Sequence, residues 1–164
     1  MVDSGSLENC CTFCVPGVRI PSPPHCLTHK LRIMIDYDIV VVNDERFSQK
    51  CIVPKRKEDG YSLGSLVIQD GSSKYYNRFA EYCNGNGKLM VMKLVLVHEK
   101  YAGNGIATAL IQKALEIYKD YNFVLLVCPC AHMAMSGDQL QEFYSKFGFV
   151  RTGELQRTMV RKAR

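Results

Sequence analysis

The stretch Met92-Lys-Leu-Val-Leu-Val-His-Glu-Lys-Tyr-Ala-Gly-Asn-Gly-Ile-Ala107 decides how the rest of the chain folds. A run of β-branched and apolar residues ends at Val97, and a short loop leads to Gly103 and Gly105. Apolar residues then recur at helical spacing from Ile106 onward, so the order predicts a strand, a glycine loop and a helix.

A loop that feeds directly into a helix presents unpaired backbone N–H groups at the positive end of that helix. Such an end binds anions, and phosphate above all. Two common phosphate motifs are excluded. Thr108 replaces the third glycine of the dinucleotide fingerprint, and Gly87-Lys88 is followed by Leu89 instead of the Ser or Thr of a P-loop.

The glycine segment resembles motif A of the GNAT acyltransferase superfamily. That motif reads Arg or Gln, two residues, Gly, one residue, then Gly or Ala, and it falls here on Lys100 to Gly105. Lys100 stands at the Arg or Gln position, and Ala102 stands where many members carry a further Arg. Because the family's cradle is mainly backbone amides, only side-chain contacts change. A plain strand-to-helix turn is the alternative interpretation.

A second helix is predicted after Ser136. Ser136 and Gln139 form the pattern of a capping box, and Gly148 is placed to end the helix. Its apolar face consists of Leu140, Phe143, Tyr144 and Phe147.

The string from Phe143 to Val150 resembles motif B of the same family, commonly Tyr, two residues, a hydrophobe, then Gly-Phe. Gly137 and Leu140 stand where the family often has Asn and Ala. The apolar run Phe123–Cys128 before it predicts a central strand buried on both faces.

The remaining elements are weaker predictions. Asp59-Gly60 is a hairpin turn signal, and a break is expected near Asp36-Tyr37-Asp38. Further strands are predicted at 31–35, 39–42, 50–55, 61–69, 149–151 and 155–160, the last two about Gly153, and a short helix at 73–83.

The resemblance implies an α/β (α+β) fold of GNAT type: a mixed, mostly antiparallel central sheet flanked by helices and splayed between its two central strands. Residues 29–164 are predicted to form this single domain, and residues 1–28 an irregular leader rich in Cys and Pro. The family usually has one or two helices between its first two strands, but only Asp44 to Lys50 is available here.

Composition agrees with one soluble domain. The chain has 164 residues, 47% hydrophobic and 23% charged, with no apolar run long enough to span a membrane and no secretory signal, so we expect a cytoplasmic protein. The net charge of +5 suits an anionic cofactor and argues against a polyamine substrate. It is too small and dispersed to indicate nucleic acid, and Lys55-Arg56-Lys57 is interpreted as a solvated surface.

Eight cysteines are interpreted as reduced thiols. Cys11-x-x-Cys14 followed by Cys26-x-x-His29 has the ligand types and local spacing of a zinc site. The alternative is an irregular leader that is merely rich in cysteine, and we adopt it, with no metal site.

The resemblance also implies where a coenzyme binds. Acetyl-CoA is expected in the splay, with its pantetheine arm paired to the backbone of Val95 and Val97. The implied pyrophosphate cradle consists of the backbone amides of Ala102, Gly103, Asn104, Gly105, Ile106 and Ala107.

Two catalytic candidates follow. Tyr144 is where the family often places the general acid for the departing sulfur, and a phenol of pKa about 10 can protonate a thiolate of about 8.5. Its alternative role is to complete an apolar helix face. No Glu lies on the strand before motif A, so Glu99 and His98 at the strand exit are the nearest bases, with a water chain as a further alternative.

The sequence therefore predicts an N-acetyltransferase that moves the acetyl group of acetyl-CoA to a primary amine of a small molecule or protein by direct attack in a ternary complex. A homodimer is compatible with this prediction. The alternatives are a catalytically inactive GNAT-like module for acyl-CoA or protein binding, and a nucleic-acid-binding zinc protein that rests only on the N-terminal ligand pattern.

Overall fold

The computed structural model describes residues 35–44, 49–71, 79, 88–127, 135–153 and 157–163. The predicted leader lies outside these residues, and so do Cys11, Cys14, Cys26 and His29. Of the predicted helix at 73–83, only Phe79 is described, and it is helical and buried. No helix among the described residues is long and apolar enough to cross a membrane.

Seven strands form one sheet in the order β1-β2-β3-β4-β5-β7-β6. Every neighbouring pair is antiparallel except β4 and β5, which are parallel. The predicted mixed, mostly antiparallel sheet is confirmed. The strands are β1 (Tyr37–Asp44), β2 (Gln49–Arg56), β3 (Gly64–Asp70), β4 (Leu89–Val97), β5 (Asn122–Leu126), β6 (Val150–Arg151) and β7 (Thr158–Arg161).

Helix α1 (Ile106–Ile117) is the crossover that a parallel pair of strands requires, and it joins β4 to β5. It packs on β2, β3 and β4. Its apolar residues recur at helical spacing, so one face lies in the hydrophobic core. That buried face consists of Ile106, Leu110, Ile111 and Ala114.

β5 is buried on both faces, as predicted for a central strand. Phe123 and Leu125 belong to the main core cluster, whereas Val124, which points to the opposite face, is only 1% exposed. Two covered faces explain why this segment is apolar without alternation.

Strand β4 changes its pairing halfway along its length. Its first half pairs with β5 from Leu89↔Asn122 to Met92↔Leu125. Beyond Met92, β3 is its only partner among the described strands. Pairing between the two central strands therefore ends at Met92, as the predicted splay requires, and β5 itself ends at Leu126.

A β-bulge marks the same point of β4. Val67 faces Leu94 and Ile68 faces Met92, so Lys93 is an extra residue on β4. A bulge bends and twists the strand that carries it. It therefore turns the second half of β4 away from the line of the first half, at the residue where pairing with β5 ends.

Helix α2 (Gly137–Ser145) begins with the predicted capping box. The Ser136 hydroxyl accepts from the Gln139 N–H at 3.3 Å, and the Ser136 N–H donates to Gln139 Oε1 at 2.8 Å. The turn after the helix ends at Gly148, whose φ of 85° suits glycine. All four residues of the predicted apolar face lie in or against the main core.

The predicted break near Asp36-Tyr37-Asp38 lies slightly earlier in the part of the chain that the structure describes: Ile35 and Asp36 are not in a strand, and β1 begins at Tyr37. Tyr37 and Asp38 pair with Arg56 and Lys55, so β1 is continuous there. Asp38 is exposed, and Lys57 Nζ lies 2.8 Å from Asp36 and 3.9 Å from Asp38. The acidic side chains are thus accommodated on the solvent side of a regular strand.

The short connection between the first two strands is confirmed. β1 and β2 pair directly as an antiparallel hairpin, and only residues 45–48 join them. The helices that the family usually has at this point cannot fit in four residues.

Gly64→Ala should destabilise the fold by about 1–3 kcal/mol, because a Cβ at this buried position would overlap the Leu96 backbone oxygen. Gly153→Ala is the matched control, since nothing lies within 4 Å of its Cβ position. Urea unfolding of both variants measures the difference. Equal free energies of unfolding would show that β3 and β4 are not this close.

Candidate functional site

The loop between β4 and α1 is held in place by its own backbone. A 3₁₀ turn (Glu99–Tyr101) follows β4, in which the Tyr101 N–H donates to the His98 oxygen at 2.8 Å. The loop then reverses through Gly103 and Gly105, whose φ values are 83° and 79°. No atom lies within 4 Å of either Cβ position, so backbone conformation, and not crowding, is what calls for glycine here.

The start of α1 is an open donor site. Its N-cap is Gly105, which offers no side-chain cap, and the first turn has no acidic residue. Ala109 donates to the Gly105 oxygen at 3.0 Å, which leaves the preceding amides outside the helix ladder. Within the described part of the chain, no acceptor is recorded for the N–H groups from Gly103 to Thr108, and we call these groups the amide cradle.

The predicted cradle and the observed one differ slightly at their ends. The Ala102 N–H donates to the Glu99 oxygen at 3.1 Å, so Ala102 borders the cradle. Thr108, which the sequence interpretation left out, adds a donor at the other end. The shared core is Gly103, Asn104, Gly105, Ile106 and Ala107.

Side chains tie this loop to the hairpin between β2 and β3. Asn104 Nδ2 donates to the Tyr101 oxygen at 3.1 Å, across the turn of the loop. Tyr101 is 6% exposed, and Arg56 Nη1 donates to its hydroxyl at 3.4 Å. Arg56 is itself held by Asp59, with Nε donating to Oδ1 at 2.9 Å and a second bond from Nη2 to Oδ2.

The Arg56–Asp59 pair also sets the protonation of both groups. The guanidinium lowers the pKa of Asp59 to about 2, chiefly by hydrogen bonding, and Asp59 raises the pKa of Arg56 above its usual range. The ion pair therefore persists over the whole physiological pH range. Sequence interpretation missed this role of Arg56, although the Asp59-Gly60 turn signal already placed Asp59 close behind it.

The open part of β4 adjoins the cradle. Val95 and Val97 are half-buried and pack against the main core, while Leu94 and Leu96 are 43% and 42% exposed. On the side where β5 paired with the first half of β4, no described strand pairs with these residues. Among the described strands, therefore, only β3 pairs with the backbone of this half of β4.

Tyr144 lies on α2 and is 6% exposed. Its ring contacts Phe143 at 5.3 Å and Phe149 at 6.1 Å between centroids. Burial raises the pKa of its phenol to about 12. The structure thus shows the apolar role that the sequence offered as an alternative, in a side chain whose phenol keeps its proton.

The two base candidates lie at the exit of β4. Glu99 and His98 are both exposed, and the His98 ring lies 5.8 Å from that of Tyr61. Glu99 follows Met92 by seven residues. The residues from Met92 to Val97 are extended strand, and Glu99 lies in the turn after Val97, beyond the point where pairing of β4 with β5 ends.

Two comparisons with known proteins match this chain. A family model described as an acetyltransferase (GNAT) domain matches residues 57–151. A solved structure of the GNAT family N-acetyltransferase YhbS from Escherichia coli in complex with CoA is similar with a TM-score of 0.47 and 20% identity. The similarity covers 71% of this chain and 59% of that one. The search of curated proteins gives no match.

Tyr144→Phe should flatten the alkaline loss of stability. Because the folded pKa of about 12 exceeds the usual value near 10, the unfolded chain loses this proton first as pH rises. Its stabilising contribution is complete below pH ~10 and falls by roughly 2 kcal/mol towards pH ~12. Urea unfolding from about pH 9 to about pH 11.5 measures this, and parallel curves for the two proteins would contradict it.

Proposed function

Because the chain belongs to the GNAT acetyltransferase family, we propose that it transfers the acetyl group of acetyl-CoA to a primary amine of a small molecule or protein, by direct attack in a ternary complex. The observation that carries this proposal is the amide cradle at the start of α1, next to the open edge of β4. Coenzyme A needs both features: an anion site for its pyrophosphate, and a strand edge with unpaired backbone groups for the amides of its pantetheine arm.

Two successive parts of the coenzyme, its pyrophosphate and its pantetheine arm, match the amide cradle and the edge of β4. Its pyrophosphate accepts hydrogen bonds from the amide cradle, where the dipole of α1 adds positive potential. Its pantetheine arm carries amides that pair with the backbone of Val95 and Val97, as an extra strand would. The match to a GNAT acetyltransferase domain supports this choice of ligand.

The thioester would then lie near the bulge, where β4 leaves β5. A backbone N–H of β4 there polarises the thioester carbonyl and stabilises the oxyanion that forms on attack. The amine attacks in its neutral form, and its nitrogen forms the new bond to the acetyl carbon as the C–S bond breaks. The thiolate that leaves requires a proton.

We assign that proton to Tyr144. With a pKa of about 12, the phenol is a weaker acid than a solvated tyrosine, and transfer to a thiolate of pKa about 8.5 in water would be uphill by about 3.5 units. Desolvation also penalises a thiolate, so a sulfur leaving inside the splay has a raised pKa, and the gap narrows. At neutral pH the phenol is protonated and can donate.

Glu99 is our proposed base. It is exposed in the turn that follows β4, where water reaches its carboxylate. At its distance from the bulge it acts through water on the incoming ammonium, and not by direct contact with the amine. His98 and a water chain alone are the alternative bases, and the Glu99 variant described below distinguishes them from Glu99.

A binding module is the second candidate function. It is favoured by Leu89, Val91 and Leu94, which leave β4 without a carboxylate, and by the exposure of Glu99. It predicts acetyl-CoA binding without turnover on any amine. For either function we propose a cytoplasmic protein with reduced thiols, and Cys51 is a free thiol.

Acetyl-CoA should raise the melting temperature of the protein in a concentration-dependent manner, because it binds only the folded state. Gly105→Ala should weaken this binding about tenfold, since strain at φ 79° displaces the cradle amides. Gly148→Ala is the matched control, as its φ of 85° carries similar strain outside the cradle.

The control should lower the starting melting temperature but keep the ligand-induced rise. No rise in the wild type at millimolar acetyl-CoA would refute the coenzyme site. A rise without thiol release on any of a panel of primary amines would select the binding module.

Tyr144→Phe should lower the turnover number by about a hundredfold or more while leaving acetyl-CoA affinity unchanged, because only proton donation is removed. Thiol release with an accepted amine measures the rate. Glu99→Gln should also lower the turnover number, because it removes the proposed base, and Glu116→Gln, an exposed carboxylate on α1, serves as its control. Full activity in the Tyr144 variant would exclude it as the acid.

A further inference from the structure

A pocket of about 440 Å³ lies between the β2–β3 hairpin and the exit of β4. We call it the hairpin pocket. It is lined by Arg56, Tyr61, His98, Lys100 and Tyr101. We propose that it binds a phosphorylated nucleoside, with the phosphate monoester held by its cationic side chains and the base placed against its exposed rings.

The cationic side is formed by Lys100 and Arg56. Lys100 is exposed, its Nζ lies 5.6 Å from the centre of the Tyr101 ring, and within the described residues no carboxylate is recorded in ion-pair range of it. Arg56 is held rigidly by Asp59, with Nη1 directed to the Tyr101 hydroxyl. A phosphate monoester carries nearly two charges and several acceptor oxygens. Its strong bond is to Lys100, because the charge of Arg56 is already paired with Asp59.

The aromatic side is formed by Tyr61 and His98. Their ring centres are 5.8 Å apart with 35° between the planes, and Tyr61 is 49% exposed. The Arg56 guanidinium lies 5.7 Å from the Tyr61 ring centre and steadies it. An exposed ring in a fixed orientation is a platform on which a purine or pyrimidine base stacks.

The position of the pocket connects it to the proposed reaction. Lys100 and Tyr101 line it, and Gly103, the first residue of the amide cradle, follows Tyr101 by two positions. The volume lies in the range of small-molecule sites but holds only one end of a coenzyme. The inference rests on the proposed function in one respect: the first source of a phosphorylated nucleoside is the 3′-phosphoadenosine end of bound acetyl-CoA. A free nucleotide is the second.

The test compares CoA with dephospho-CoA, which lacks only the 3′-phosphate, by calorimetric titration of the full chain. The wild type should bind CoA about tenfold more tightly, the effect of one charge-assisted hydrogen bond. Lys100→Gln should abolish this preference and keep dephospho-CoA affinity, because Gln is one of the residues the motif normally carries there. Lys55→Gln, an exposed lysine on β2 outside the pocket, should keep the preference.

Tyr61→Ala should weaken CoA and dephospho-CoA by the same factor, since both carry the base. No preference in the wild type, or an equal preference in all variants, would overturn the inference while the proposed function stands. If neither coenzyme binds, the proposed function fails. In that case titration with 3′,5′-ADP tests the hairpin pocket on its own. Binding that is lost in Lys100→Gln would support a free nucleotide as the ligand. No binding of 3′,5′-ADP would overturn the proposal for the pocket as well.

Discussion

The separation of β4 from β5 after Met92 is the constraint on which the site depends. A strand in mid-sheet normally satisfies backbone groups on both sides. Here β4 must stay in the sheet through β3 and yet leave its other side open, and the extra residue at Lys93 allows both, since it bends the strand without ending it. The same bend brings the end of β4 to the loop that starts α1.

The cradle is built from backbone, and this explains why the motif tolerates its departures. Lys100 and Ala102 alter side chains only, whereas the two left-handed glycines set where the amides point. Side chains support the cradle indirectly. Asn104 donates a hydrogen bond to the Tyr101 carbonyl, and Arg56 donates one to the Tyr101 hydroxyl. The proposed anion site therefore has a fixed shape before any ligand arrives, which would reduce the entropy lost on binding.

Local signals in the sequence predicted the strands and helices, but they did not predict the contacts between residues that are far apart in the chain. The capping box at Ser136 and the glycine loop after β4 depend on neighbours within a few residues, so the chain itself specifies them. The contact between Arg56 and Tyr101 spans 45 positions, and the bulge at Lys93 appears only once β3 is aligned with β4. The exact start of β1 was missed because Lys57, which contacts Asp36 and Asp38, belongs to the turn after β2.

The short β1–β2 hairpin also has a consequence for how molecules of this protein meet one another. β1 is the outer strand of the described sheet, and its Val41 and Val42 are 43% and 46% exposed. An outer strand with apolar side chains is a template for a strand from another molecule. The net charge of +5 makes molecules of this protein repel one another, which keeps such edges apart. Salt screens that repulsion over about 10 Å at 0.1 M, so the colloidal stability of concentrated protein falls as ionic strength rises.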